Sequence, residues 1–136
     1  MECVSAFDLS PGCASVEAPS RYSAHVTSIT KGDATKFKLS KHYDRKVDFF
    51  ITNPPWLRSL LHPIIFNLYW QRPTWLLLDS AWISTEQAGP YMPMLRKVVT
   101  VGRLKWIPNT PDDAKDDCAW HLFAPAGDTT FFGRAS

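Results

Sequence analysis

The order of apolar runs along this 136-residue chain predicts an α/β fold: a Rossmann-like, mostly parallel sheet with a final antiparallel strand. Three observations predict it. Short runs rich in β-branched and aromatic residues alternate with one stretch of helical periodicity. Two of the runs, residues 47–52 and 75–79, are apolar on both faces, as strands covered on both sides of a parallel sheet are. Finally, Asp8, Asp33, Asn53 and Asp79 all fall at the ends of strand-like runs. Ligands of such sheets bind beyond the carboxyl ends of the strands, so these four polar residues mark one rim.

The elements follow in order. Residues 3–8 form a short strand ending in Asp8 and stopped by Leu9-Ser10-Pro11-Gly12, after which residues 13–24 read as a loop. Residues 26–30, rich in Val, Thr and Ile, form the second strand and lead into Gly32-Asp33-Ala34. A basic stretch, Lys36, Lys38, Lys41, Arg45 and Lys46, separates it from the third strand at 47–52. Residues 57–71 carry apolar side chains at 60, 61, 64, 65, 68 and 69, which predicts a helix that tolerates Pro63 near its start. Residues 75–79 are a buried strand. Residues 84–95 begin as a capped helix, Ser84 with Gln87 three residues on, and must break at Gly89, Pro90 and Pro93. Two strands, 97–107 and 118–124, joined by the polar loop 108–117, close the chain as a hairpin.

A chain of this length holds one domain, residues 1–136, around one core. Eleven prolines require short elements and many turns. The net charge of +2 leaves no overall nucleic-acid footprint, and the basic stretch is read first as a solvated face. Cys3, Cys13 and Cys118 have neither disulfide nor zinc spacing, and His25, His42, His62 and His121 are too scattered for a metal or a triad. With no apolar run near the roughly 20 residues of a membrane span and no signal-like start, the expectation is a cytoplasmic chain without metal or membrane partner.

Chemistry concentrates in Asn53-Pro54-Pro55-Trp56, directly after the third strand. Proline lacks the N–H that continues a sheet and pushes its predecessor away from helical torsions, so the segment leaves the strand as a stiff extended turn with free carbonyls. An aromatic amine is a weak nucleophile because its lone pair is delocalised into the ring. A site that activates one accepts hydrogen bonds from both amino protons and aims the lone pair, which the Asn53 side-chain oxygen and the Pro54 carbonyl could do. Trp56 offers a face on which an extruded base stacks. Trp106, Trp120 and Lys105 on the last hairpin are further candidates for nucleic-acid contact, although core packing explains the tryptophans equally well.

On these residues the chain resembles the class I S-adenosylmethionine-dependent methyltransferases, in particular phage and prophage adenine-specific (N6) DNA methyltransferases. The likeness covers nearly the whole length and includes Pro73-Thr74-Trp75-Leu76-Leu77-Leu78-Asp79-Ser80-Ala81-Trp82, Val101-Gly102-Arg103-Leu104-Lys105-Trp106 and Thr129-Thr130-Phe131-Phe132-Gly133-Arg134. The resemblance implies that Asp8 binds the cofactor's ribose hydroxyls, that Asp33 lies near its adenine, and that Asn53, Pro54, Pro55 and Trp56 are catalytic, with DNA as substrate. Members also begin with a strand and a Gly-rich turn of the type Glu-Pro-x-x-Gly-x-Gly, which is absent before Cys3. The expectation is a sheet incomplete at its N-terminal side, completed by a longer reading frame, by a homo-oligomer or by a partner chain. The competing expectation is a non-catalytic remnant or interaction module that keeps the fold without the cofactor site.

Overall fold

A computed structural model describes residues 6–8, 29–104 and 115–134. The chain divides into two compact units, Met1–Asp48 and Phe49–Ser136. In the first, β1 (Ala6–Asp8) and β2 (Ile29–Lys31) pair in parallel, with Asp8 opposite Lys31. Residues 26–28 of the expected second strand lie outside the described residues. Lys36, Lys38, Lys41, Arg45 and Lys46 are all exposed and are interleaved with half-buried Phe37, Leu39, Tyr43 and Val47.

Among the described residues, the second unit is a five-stranded sheet with one α-helix and two 3-10 helices. Its strands are β3 (Phe50–Thr52), β4 (Thr74–Asp79), β5 (Leu95–Arg103), β6 (Asp117–Phe123) and β7 (Thr130–Phe132), in the order β3-β4-β6-β5-β7. β4 runs parallel to β3, β6 antiparallel to β4 and β5, and β7 parallel to β5. Four strands thus share a direction and β6 alone opposes them. The expected α/β sheet, mostly parallel with an antiparallel strand from the closing hairpin, is what forms. β7 is an addition, and the penultimate strand ends at Arg103 rather than 107. Trp106 and Lys105 lie outside the described residues, as do Cys3, Cys13 and His25.

α1 (Arg58–Tyr69) starts at Leu57, whose carbonyl accepts from the Leu61 amide at 2.8 Å. Its apolar stripe, Leu61, Ile64, Ile65, Leu68 and Tyr69, is buried, whereas Leu60 is exposed. Pro63 removes the amide that would bond the Ser59 carbonyl, a loss near the helix start where exposed Ser59 meets water. Leu61, Ile65 and Tyr69 of the stripe pack with Leu76 and Leu78 of β4, Leu95 and Val98 of β5, and Ala119 and Phe123 of β6 in one core. Between β4 and β5, Ser80–Ser84 and Glu86–Met94 are 3-10 helices instead of one broken α-helix. The expected Ser84 capping box does not form: Thr85 is the N-cap of the second 3-10 helix and spends its hydroxyl on the Trp82 carbonyl at 2.8 Å. Pro90 and Pro93 lack the amides a longer α-helix would need.

β3 is an edge of this sheet and leaves Phe49 and Ile51 about half exposed, at 45% and 47%. Apolar edges of this kind favour pairing with another strand. Cys118 is buried and free, and burial pushes its thiol pKa up, which keeps it protonated and unreactive. Among the described residues no helix is long and apolar enough to cross a membrane.

Candidate functional site

In the first unit the parallel register brings the carboxyl ends of β1 and β2 together: Asp8 closes β1, and Asp33 follows β2 by two residues. Asp33 Oδ1 accepts from the Thr35 amide at 2.9 Å and the Thr35 hydroxyl at 2.7 Å. These bonds, the hydroxyl first, hold its carboxyl below the usual range, with Lys36 adding a smaller pull. Asp33 therefore stays ionised in neutral solution and caps its own turn. A sequence Asp-x-Thr at a turn does this on local grounds.

In the second unit the strand-ending segment is built as its prolines require. β3 stops at Thr52, Asn53 is exposed, Pro54 is buried and Pro55 is exposed. Trp56 is half-buried against the core, and its indole N–H donates to the Leu77 carbonyl at 3.0 Å. Since β3 pairs with β4 only as far as Thr52 opposite Leu76, the indole takes over a β4 carbonyl just beyond the end of the ladder. A side chain thus continues the sheet where proline cannot. Phe or Tyr at this position has no ring N–H to do so.

Beyond the ends of these strands lies a cleft of about 110 Å³ lined by Trp56, Arg58, Leu61, Leu78, Asp79, Trp82 and Thr85. Asp79 Oδ1 accepts from the Ala81 amide at 2.8 Å and so fixes the chain reversal that delivers Trp82. Of the rim residues predicted from sequence, Asn53 and Asp79 belong to this unit, with Trp56 and Asp79 brought into the cleft wall. Asp8 ends β1 and Asp33 follows β2 at the same end of the first unit's sheet. Sequence reasoning missed Arg58 and Trp82 as site residues. Their signal was positional only: one is the first residue of the helix after the motif, and the other lies three residues after the strand-ending Asp79.

Behind the cleft, Trp82 meets His121 edge-on at 5.7 Å and Phe123 at 5.8 Å between ring centroids. His121 is fully buried. With Nδ1 donating to the Ala119 carbonyl at 3.0 Å, the ring is the neutral Nδ1–H tautomer, and its Nε2 has no partner among the described residues. Burial pushes its pKa from 6.5 down to about 4, against smaller opposing effects of the Ala119 bond and Asp79. A depressed histidine pKa means that the unfolded chain binds the proton first. Stability is therefore complete above pH 6.5 and falls between 6.5 and about 4, by about 3 kcal/mol in total. Urea midpoints measured across this window should drop for the native chain and stay much flatter for His121→Phe.

No protein-family profile matches the chain, and no curated protein matches it. Among solved structures it is similar to that of a protein described as a putative RNA methyltransferase, from Pyrococcus horikoshii, with a TM-score of 0.56 and 12% identity. The match covers 90% of this chain and 75% of that one. At this identity the likeness concerns the fold alone: the chain has an α/β architecture similar to that of the matched structure.

Proposed function

We propose that this chain is an S-adenosylmethionine-dependent methyltransferase acting on an amino nitrogen, with adenine N6 in DNA as the acceptor. The observation that carries the reading is the segment Asn53-Pro54-Pro55-Trp56. It leaves a strand at its carboxyl end with Asn53 exposed and Trp56 fixed in the lining of the cleft. The Asn53 side-chain oxygen and the Pro54 carbonyl accept the two amino protons and aim the nitrogen lone pair. Trp56 presents its ring to the base. The basic surface formed by Lys36, Lys38, Lys41, Arg45 and Lys46 supplies non-specific attraction to a phosphate backbone.

Asp33, an ionised acceptor at a strand end, has the chemistry to take an adenine amine of the cofactor, and Asp8 closes the neighbouring strand. When bound, the cofactor would supply an electrophilic methyl group on a sulfonium, with the neutral thioether as its leaving group. The chain's own work is positioning and hydrogen-bond polarisation. RNA is the second acceptor, favoured by the likeness in fold to a protein described as an RNA methyltransferase.

Calorimetric titration with S-adenosylmethionine tests the reading. Saturable micromolar binding is expected. Absence of heat at millimolar cofactor would favour the non-catalytic module instead.

A further inference from the structure

α1 is apolar on two sides. Its buried stripe meets the core, while Leu60, Pro63, Phe66 and Trp70 are all exposed and follow one another at the three- and four-residue steps that share one side of a helix. Between Arg58 and Arg72 the chain holds no Lys, Arg, Asp or Glu. A helix on a free surface turns charged and polar residues outward, and one that is apolar nearly all round is covered on both sides.

The area is of the size an interface needs. Leu60, Phe66 and Trp70 are 41%, 57% and 61% exposed, and with Pro63 they present on the order of 400 Å² of apolar surface. A standard interface takes roughly 800 Å² from each partner, a little over half of it apolar. The stripe supplies nearly all of that apolar part, and Ser59 and Asn67 beside it are polar. Phe66 and Trp70 both pack on buried Tyr69, at 6.1 and 4.7 Å between ring centroids, so these two rings are ordered before any partner arrives.

The order of side chains fits a second copy run in the opposite direction. The first half of the stripe is aliphatic, Leu60 and Pro63, and the second half is aromatic, Phe66 and Trp70. Antiparallel packing about a two-fold axis at the level of Ile65 sets Leu60 against the partner's Trp70 and Pro63 against the partner's Phe66. A parallel pair would bring the two bulky ends together and align the helix dipoles unfavourably. The antiparallel register also sets Arg58 beside the partner's Arg72, a repulsion that salt screens.

We propose that this chain associates as a two-fold dimer through the outer face of α1, the two helices antiparallel, with Phe66 and Trp70 as its anchors. The surface is a helix face and not the sheet edge at β3, and the dimer stands whether or not the chain transfers methyl groups.

Sedimentation equilibrium of the full chain from micromolar to millimolar concentration, at low and high salt, is the test. The native chain is expected to pass from 15.4 kDa towards twice that mass and to dimerise more tightly at high salt. Phe66→Glu and Trp70→Glu should each weaken the dimer by at least about tenfold while the circular dichroism stays native, since both side chains are exposed. Arg58→Glu, facing the partner's Arg72, should tighten the dimer about threefold at low salt and reverse its salt dependence. Phe131→Ser, at an equally exposed ring on β7, should change nothing. A dimer indifferent to both Phe66→Glu and Trp70→Glu, or one dispersed by Phe131→Ser, would overturn the proposal. A chain that stays monomeric at millimolar concentration would also overturn it and leave the face to a different protein, and weakening by Arg58→Glu would overturn the antiparallel register.

Discussion

Asn53→Ala is expected to lower methyl transfer by about 10²- to 10³-fold while leaving S-adenosylmethionine affinity unchanged. The magnitude follows from the chemistry. Removing one preorganised hydrogen-bonding group from a developing charge typically costs that much, and positioning of the acceptor nitrogen is lost with it. The separation of effects follows from the proposed roles, since Asn53 is assigned to the acceptor amine and the candidate cofactor acids are Asp8 and Asp33. Asn53 is exposed, so stability should stay within about 0.5 kcal/mol. Asn53→Asp keeps an acceptor oxygen and should retain more activity than Asn53→Ala. Single-turnover rates and cofactor titrations on the same preparations check all three statements. Lost cofactor binding with transfer retained would move Asn53 out of the acceptor site.

Phe123→Ala is expected to destabilise the fold by about 3–5 kcal/mol, a large share of the roughly 5–15 kcal/mol typical of a domain. Phe123 is fully buried on β6, where it pairs with Thr74 and Leu95 of the two flanking strands. It also packs against Trp82, so the cavity left by Ala opens directly beside a residue of the cleft lining. Phe123→Leu fills most of that space and should cost about 1.5 kcal/mol or less. Urea denaturation gives both values. If the Ala variant loses stability in proportion but retains acceptor binding, the support of Trp82 comes from its own 3-10 helix rather than from the core.

The parts legible in the sequence are those that burial writes as a period. Leu61, Ile64, Ile65, Leu68 and Tyr69 repeat at helical spacing because one face of α1 meets the sheet. The wholly apolar Leu76-Leu77-Leu78 marks a central strand that is flanked on both sides. β7 escaped notice because all three of its residues are exposed, leaving no alternation to read. The segment Glu86–Met94 carries a helix-like start, but Pro90 and Pro93 decide its form by the amides they lack.

The site divides in the same way. Asn53 to Trp56 could be read directly, since its chemistry is local to four residues. The bond from Trp56 to Leu77 could not, because it depends on where β3 stops relative to β4. Arg58 and Trp82 could not be read either: they reach the cleft from elements before and after β4 in the chain, at a distance in sequence that no spacing rule covers. Asp33 shows the reverse case. Its bonds to Thr35 were available from Asp-x-Thr alone and give that acid a structural role beside the proposed one.

The central claim is methyl transfer to an amino nitrogen at Asn53-Pro54-Pro55-Trp56. Its most direct measurement is incubation of the chain with methyl-labelled S-adenosylmethionine and adenine-containing DNA and RNA oligonucleotides, followed by digestion and mass analysis of the nucleosides. Label in N6-methyladenine, lost in Asn53→Ala, is the predicted result; no label in any nucleoside, or label confined to a ring nitrogen or an oxygen, would contradict it.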